Sequence, residues 1–409
     1  MNYERKFNQW NINFLTQQSL IYITIKHLTS NDIFHESFKF EYFHSFNLFI
    51  PKITMKDLID FILMLINNKS IEIKQEQNKI KLIFISPYLN THNVELTLNK
   101  IENIHKENKK KKFEFNQINS IKPHNKAINQ VSIFPNGNII SVSSDQSINI
   151  YNPNLIIIQR IIDAHDKYII DLCVKDENNF ISCSFDKSIK TWIKENLRNK
   201  FIINKIIKDA HNDWLGKVIF FNENIISCSK DLTVKIWEEN NNNSFQCKTI
   251  LSHSDWIVSL FIIEKSNILI SGSEEGTKFW NLNNLECLFF IKEAKCFFWN
   301  ALKKIDNDKI IIGGDVDGLI KIISISQKKI IKNIKNKFQC WGILVLENKG
   351  LILISGRSED IKIYGNNNYN LIKTLTNVHE HWIYGLTRIN ENLFVSFSKD
   401  CSLKVWNIS

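Results

Sequence analysis

The hydrophobic pattern along the chain alternates with a period of two over most of its length, which predicts short β-strands. In the first hundred residues the alternation occurs in five runs, at residues 20–28, 38–42, 71–74, 80–84 and 94–98. A different pattern lies between them, where Thr54 can cap a helix and residues 58–66 form one broad apolar face. We therefore expect residues 1–105 to form a small α+β domain with a sheet of about five strands and one helix.

A change in composition follows this region. Four consecutive lysines at positions 109–112 end a polar stretch, and the pattern after them is of another kind. We interpret residues 106–112 as a Lys-rich linker, with a basic docking patch as the alternative. No motif in residues 1–105 indicates what that domain does.

The region after the linker repeats itself. A phrase with a serine, an acidic turn residue and a terminal aromatic residue recurs, as in Ser184-Phe185-Asp186 and, six residues after Asp186, Trp192. The terminal positions of the seven copies are Tyr151, Trp192, Trp237, Trp280, Ile323, Tyr364 and Trp406, which lie 41 to 45 residues apart. In five copies a histidine precedes the turn acid by 20 to 22 residues: His124, His165, His211, His253 and His379. Such a period predicts a repeat architecture in which each copy is one structural unit.

The period, the terminal tryptophan and the histidine resemble the WD40 repeat, and seven copies resemble a seven-bladed β-propeller over residues 113–409. The predicted fold is mainly β: a seven-bladed WD40 propeller closed by an N-terminal strand and preceded by the small α+β domain. Ser409 ends the chain just past the third strand of blade 7, so residues 113–121 are expected to supply the missing strand and remove the open edge.

The resemblance implies a hydrogen-bonded tetrad of His, Ser, Asp and Trp inside a blade. The complete sets fall on His165, Asp186 and Trp192 in blade 2, on His211, Asp231 and Trp237 in blade 3, and on His379, Asp400 and Trp406 in blade 7. Blade 4 carries Glu275 in place of the Asp, and blades 5 and 6 lack the His. Blades 2, 3 and 7 are therefore expected to be the most rigid.

A ring of aromatic residues is the feature that bears on function. These residues are Tyr168, Trp214, Trp256, Trp299, Trp341 and Trp382, and Ala127 takes the place in blade 1. In the family, this position opens the innermost strand on the upper face, where many members hold peptides. The predicted rim also includes Ile170, Val258, Tyr384, Phe185, Lys230 and Lys399. Large aromatic residues make good anchors for a partner, whereas the alternative is that they only pack the loops.

Composition and chemistry exclude several other classes. Apolar residues make up 44% of the chain and charged residues 23%, which excludes wholesale disorder, and no apolar run reaches the roughly 18 residues of a membrane helix. The Ser, His and Asp of each blade recur five times, whereas a hydrolytic triad is normally unique. His379, His381 and Cys401 do not make a convincing zinc site, because His379 belongs to a tetrad. We expect no catalytic residue, no metal and no cofactor.

The primary hypothesis is a non-catalytic scaffold or adaptor that binds a peptide or protein on its upper rim. One alternative is a substrate receptor of a ubiquitin ligase. Another is a propeller that contacts RNA or an anionic membrane through the lysines at 328, 329, 332, 335 and 337, although the net charge of +10 is modest and nucleic acid is not favoured. Eight cysteines without metal spacing favour a cytoplasmic location, with the nucleus or the cytoskeleton as alternatives.

Overall fold

The chain divides into two compact units, residues 1–112 and residues 113–409. A computed structural model describes residues 113–409 with their side chains, except at position 315, and describes the backbone of seven strands within residues 1–112. No helix in this described part of the chain is long and apolar enough to cross a membrane.

The first unit contains one antiparallel sheet of seven strands. They are β1 (Asn2–Phe7), β2 (Trp10–Gln17), β3 (Leu20–His27), β4 (Ile33–Lys39), β5 (Ile71–Glu76), β6 (Lys79–Phe84) and β7 (Val94–Lys100). Their order across the sheet is β1-β2-β3-β4-β7-β6-β5. Strands β3, β5, β6 and β7 coincide with four of the five runs that the alternation predicts, and β1 and β2 were not predicted. The predicted run at residues 38–42 overlaps β4 only at positions 38 and 39, and positions 40–42 lie outside the described residues. The predicted helix over residues 54–66 lies outside the described residues.

The second unit is a ring of seven four-stranded sheets, which is the predicted propeller. Blade 1 consists of β9 (Ile128–Ile133), β10 (Ile139–Ser143), β11 (Ile148–Tyr151) and β12 (Ile157–Ile161). Blade 2 consists of β13 (Ile169–Val174), β14 (Asn179–Ser184), β15 (Ile189–Glu195) and β16 (Lys200–Ile207). Blade 3 consists of β17 (Leu215–Phe221), β18 (Asn224–Ser229), β19 (Thr233–Glu239) and β20 (Phe245–Ser252). Blade 4 consists of β21 (Ile257–Ile263), β22 (Ile268–Ser273), β23 (Thr277–Asn281) and β24 (Cys287–Ile291).

The remaining blades complete the ring. Blade 5 consists of β25 (Leu302–Lys304), β26 (Lys309–Ile312), β27 (Leu319–Ser324) and β28 (Lys329–Lys335). Blade 6 consists of β29 (Cys340–Leu346), β30 (Leu351–Gly356), β31 (Ile361–Gly365) and β32 (Leu371–Leu375). Blade 7 consists of β33 (Ile383–Arg388), β34 (Leu393–Ser398), β35 (Leu403–Ile408) and β8 (Phe115–Ile121). Single 3₁₀ turns at Glu264–Ser266 and Glu347–Lys349 join the first two strands of blades 4 and 6.

The burial of each strand follows from its place in the blade. Second strands lie between neighbouring blades and are apolar or small on both faces, so every residue of β10 and of β30 is buried. Outer strands face solvent, and Ile157 and Ile158 of β12 are exposed. The core therefore lies between the blades and runs around the whole ring.

The ring is closed as the sequence predicts. Strand β8 pairs antiparallel with β35, from Ile121 opposite Leu403 to Phe115 opposite Ile408. Backbone hydrogen bonds between Glu114 and Ser409 extend the pairing, at 3.0 and 3.1 Å. The first described residues of this unit thus complete the last blade, and no open edge remains there.

The side chain of Phe115 should carry much of this closure, because it is 8% exposed and packs with residues of blades 6 and 7. We expect Phe115→Ala to lower the free energy of unfolding by about 3–5 kcal/mol through the cavity it leaves. The matched control is Ile118→Ala on the same strand, since Ile118 is 55% exposed and its loss should cost less than about 1 kcal/mol. Urea unfolding of both variants checks this, and equal losses would contradict it.

Candidate functional site: the upper face of the propeller

The upper face, which carries the loops before the first strands and the turns between second and third strands, rests on the tetrads. In blade 2, His165 Nδ1 lies 2.8 Å from Asp186 Oδ2, and its Nε2 lies 2.8 Å from Ser182 Oγ. Trp192 Nε1 donates to the same Oγ at 2.9 Å. Because the ionised Asp186 can only accept, the imidazole proton sits on Nδ1, and the bare Nε2 accepts the hydrogen of Ser182, whose oxygen in turn accepts from the indole.

The same chain of hydrogen bonds occurs in blades 3 and 7. His211 contacts Asp231 at 2.9 Å and Ser227 at 2.8 Å, and Trp237 Nε1 donates to Ser227 at 2.9 Å. In blade 7 the corresponding distances are 3.0 Å from His379 to Asp400, 2.7 Å from His379 to Ser396 and 2.9 Å from Trp406 to Ser396. All nine predicted tetrad residues therefore lie in three such networks.

Two further blades contain variants of the tetrad. In blade 4 the longer Glu275 reaches His253 at 2.9 Å, and Trp280 donates to Ser271 at 2.8 Å. In blade 1 the phenol of Tyr151 takes the place of the indole and lies 2.8 Å from Ser141 Oγ.

Burial controls the protonation of these groups. It lowers the pKa of the His165 imidazole, although Asp186 opposes the shift. Burial also acts to raise the pKa of the Asp186 carboxyl, but hydrogen bonds from His165 and Ser188 outweigh it and the pKa falls well below the usual range. A neutral imidazole beside an ionised carboxylate is thus the stable state of the tetrad near pH 7.

Each complete tetrad has a supporting lysine that the sequence reasoning missed. Lys190 Nζ donates to the carbonyl oxygen of Ala164 at 2.8 Å, and Lys235 and Lys404 make the equivalent bonds to Ala210 and Val378 at 2.8 and 2.7 Å. The sequence contains a signal for them, because a lysine stands two residues before the tryptophan in all three repeats.

The backbone register changes the composition of the predicted aromatic ring. In blade 2, Leu172 pairs with Ser182, and Tyr168 lies four residues before it. The equivalent pairs are Leu302 with Ile312 in blade 5 and Ile343 with Ile354 in blade 6. The ring position therefore lies four residues before Leu302 in blade 5 and four residues before Ile343 in blade 6. These two positions hold Phe298 and Gln339 and not the tryptophans that the prediction placed there.

Trp299 and Trp341 therefore lie further along the chain than the predicted ring position. The alignment failed because blades 5 and 6 lack the histidine that fixes the register in the other repeats. We call the residues at the ring position the rim aromatics: Tyr168, Trp214, Trp256, Phe298 and Trp382.

Three of the rim aromatics, Tyr168, Trp214 and Trp256, form a continuous arc over blades 1 to 4 with residues of the neighbouring turns. Phe185 stacks on Trp214 with 4.4 Å between ring centroids and lies 6.1 Å from Tyr168. Lysines cover other faces of these rings: Lys126 Nζ lies 5.3 Å from the Tyr168 centroid, and Lys230 Nζ lies 4.9 Å from Trp214. Lys230 also lies 5.6 Å from the centroid of Trp256. We call these residues the rim arc.

Besides Trp341, two further predicted rim residues are buried. Ile170 is 2% exposed and Val258 is 1% exposed, so neither can contact a partner on the folded propeller. Both sit at a β-bulge where the register of the first strand shifts, and Val258 packs in the core between blades 4 and 5. A one-residue shift in a strand moves a side chain to the other face, which the repeat alignment could not show.

Aromatic residues of blades 5, 6 and 7 pack against one another near the axis. Trp299 and Trp341 lie 6.5 and 5.4 Å from Tyr384, and Phe298 lies 4.3 Å from Trp341. The four rings line a cavity of about 60 Å³. Gly342 and Gly385 follow Trp341 and Tyr384 in the chain and lie close together: a Cβ on Gly342 would meet the Cα of Gly385 at 2.6 Å, and a Cβ on Gly385 would meet the Phe397 ring at 2.2 Å.

Polar side chains cross the axis beside this aromatic cluster. Gln130 of blade 1 donates from Nε2 to Asn300 of blade 5 at 2.9 Å and to Asp171 of blade 2 at 2.7 Å. The carboxylate of Asp171 also pairs with Lys217 of blade 3 at 3.2 Å. Trp299 Nε1 reaches the carbonyl oxygen of Asn129 at 3.4 Å. The central channel is therefore bridged by side chains, and the accessible part of the upper face is the rim outside it.

The remaining candidate residues lie apart from a shared site. Lys329, Lys332 and Lys335 lie on the outer strand of blade 5, Lys328 lies in the turn before it, and Lys337 lies past its end. His379 is held in its tetrad, and Cys401 contacts the carbonyl oxygen of Lys399. Within residues 113–409, position 315 apart, no group of three or more His, Cys, Asp or Glu could hold a metal ion.

Comparison with known proteins agrees with the architecture. The family model "WD domain, G-beta repeat" matches residues 115–152 and 157–192. Each matched segment contains the outer strand of one blade and the three inner strands of the next. A WD40 repeat-containing protein of Dictyostelium discoideum is 22% identical over 171 residues, which cover 41% of this chain and 23% of that relative.

Removing the central hydroxyl of a tetrad should be costly. We expect Ser182→Ala to lower the free energy of unfolding by about 2 kcal/mol or more, because His165 and Trp192 would each lose a buried hydrogen-bond partner. Ser120→Ala is the control, since Ser120 is exposed on the outer strand of blade 7 and its hydroxyl makes no hydrogen bond to the described residues. Thermal unfolding compares the two, and a Ser182→Ala variant as stable as the control would show that the network contributes little.

The free energy of unfolding should also decrease as the pH is lowered, because the tetrad histidines are buried in the neutral form. Burial, aided by the charge of Lys278, lowers the pKa of His253 to about 4, from 6.5 in the unfolded chain. The unfolded state then binds more protons below pH 6.5, so stability present at pH 7 is lost as the pH falls toward 4. For His253 alone the loss at pH 5 is about 2 kcal/mol.

Urea unfolding at pH 7 and pH 5 measures this loss. His253→Gln should reduce the difference between the two pH values, and His381→Gln, which lies outside the tetrads, should leave it unchanged. Equal free energies of unfolding at both pH values in the wild-type protein would refute the expectation.

Proposed function

Because the WD40 family model matches residues 115–152 and 157–192 and residues 113–409 fold as a seven-bladed propeller, we propose that this protein is a scaffold or adaptor that binds a peptide segment of a protein partner on its upper rim. Propellers of this family are generally protein-interaction scaffolds and are typically non-catalytic. The fold itself does not name the partner, so the argument rests on the surface.

The observation that carries the proposal is the exposure of the rim arc. Tyr168 is 43% exposed and Trp214 is 37% exposed, and Phe185 bridges them in one continuous surface. Exposed aromatic residues that adjoin one another commonly mark an interaction site, because a partner can remove large rings from water at little cost in side-chain entropy.

The rim arc is also restrained before any partner binds. Stacking on Phe185 and the contacts of Lys126 and Lys230 hold the rings in place, which lowers the entropy cost of association. The lysines add polar contacts at the edge of the apolar surface, as in the polar border of known interfaces. By contrast, Trp341 is 8% exposed and belongs to the packed cluster near the axis, so the loop-packing alternative applies to that part of the ring.

The test is affinity purification of the tagged full chain with quantitative mass spectrometry of the bound proteins. The wild type is compared with the double variant Tyr168→Ala and Trp214→Ala. We expect a discrete set of partners to be lost from the double variant. A purified partner should then bind it at least tenfold more weakly, which is the size of a typical hot-spot loss.

The matched control is Phe290→Ala, which removes a ring that is 41% exposed on the outer strand of blade 4. It should keep all partners. The proposal fails if the double variant melts like the wild type and still retains the same proteins, and the outer surfaces or residues 1–112 would then be examined.

A further inference from the structure

A second feature of the upper face is a cleft of about 560 Å³ between blades 5 and 6, which extends to Trp382 of blade 7. Its walls combine apolar and charged residues. They are Val316, Asp317, Gly318, Lys337, Phe338, Gln339, Arg357 and Trp382. The volume lies in the range of ordinary ligand-binding clefts.

The cleft contains cations without a matching number of acids. Arg357 and Lys337 are both exposed, and within the described part of the chain neither forms an ion pair. Asp317 is the acidic residue in the described walls, so the lining has one more positive charge than negative. Burial and then the positive charge of Lys337 lower the pKa of the nearby Lys362.

Trp382 brings a second cation close to Arg357. The Arg357 guanidinium lies 4.9 Å from the centroid of the Trp382 ring, and Lys399 Nζ lies 4.3 Å from it. The ring positions the guanidinium at the cleft and leaves its N–H groups without a protein acceptor among the described residues. A guanidinium with free N–H groups matches the two oxygens of a carboxylate.

We propose that the cleft between blades 5 and 6 binds an acidic side chain of the partner peptide, with the carboxylate on Arg357 and Lys337 and a neighbouring apolar side chain on Val316 and Phe338. The single excess charge of the lining matches the single charge of an Asp or Glu side chain. Val316 is 63% exposed at the edge of the cleft, which is where an apolar neighbour would be covered. This inference rests on the proposed function, since it names the chemistry of the peptide.

The test uses pools of nine-residue peptides with random flanks and one fixed central residue, which is Glu, Gln, phosphoserine or Ser. Each pool is passed over the immobilised full chain, and the retained peptides are quantified by mass spectrometry. We expect the wild type to retain the Glu pool at least fivefold over the Gln pool, with apolar residues enriched beside the Glu.

The variants are Arg357→Gln and Lys337→Gln, which are surface changes, and both should abolish the preference for Glu. The matched control is Lys332→Gln, which removes an equal charge from the exposed outer strand of blade 5 and should keep the preference. The inference is wrong if Glu and Gln pools bind alike, if the preference survives in Arg357→Gln, or if only the phosphoserine pool is retained.

The outcome separates this inference from the proposed function. If partners are lost from the double variant Tyr168→Ala and Trp214→Ala but retained by Arg357→Gln, and the peptide pools show no preference, the rim arc is the binding surface. The proposal that the partner peptide carries an acidic side chain is then wrong. If instead the preference for Glu depends on Arg357 and the partners still bind the double variant, the binding site is the cleft.

Discussion

The pairing of β8 with β35 is the constraint on which the rest of the propeller depends. A ring of blades has no free edge only when the last blade receives a fourth strand, and here that strand comes from the other end of the repeat region. Because Phe115 packs against blades 6 and 7 together, closure also completes the hydrophobic core between these two blades. The positions of all upper-face loops follow from this closure, since each loop is attached to a first strand that contacts both neighbouring blades.

Within the ring, the tetrads divide the blades into two kinds. Blades 1 to 4 and blade 7 contain a buried hydrogen-bond network around a serine, such as Ser182 in blade 2. In blades 5 and 6 the serine position holds Ile312 and Ile354, which are 1% and 0% exposed. Isoleucine suits these positions, because a buried serine hydroxyl without the tetrad histidine would lack a hydrogen-bond partner. The loss of the histidine also changes the loops above, and both the packed aromatic cluster and the charged cleft lie at these two blades.

The upper face is therefore asymmetric although its repeats are similar. Over blades 1 to 4 the rim arc alternates aromatic rings with lysines and is exposed. Near the axis, Trp299, Trp341 and Tyr384 pack against one another, and Gln130 and Asp171 bridge the channel beside them. The upper face thus presents an exposed aromatic surface on one side and a charged cleft on the other, and the axis between them is filled by the protein itself.

The sequence by itself determined the features that recur within one repeat. The period, the His-Ser-Asp-Trp pattern and the missing last strand were enough to predict seven blades, the tetrads and the closure, because each depends on residues at a fixed spacing within a repeat or on its boundaries. Strand β2 was missed although Trp10, Ile12 and Phe14 alternate with Asn11 and Asn13, whereas β1 is mostly polar and carries no such signal.

Only the tertiary structure decided the features that combine different blades. The register of blades 5 and 6, the burial of Ile170 and Val258, and the bridge from Gln130 to Asn300 depend on bulges and on contacts between residues up to 170 positions apart. A repeat alignment contains no information on which side chains converge at the axis, because that is set by how the closed ring brings its blades together.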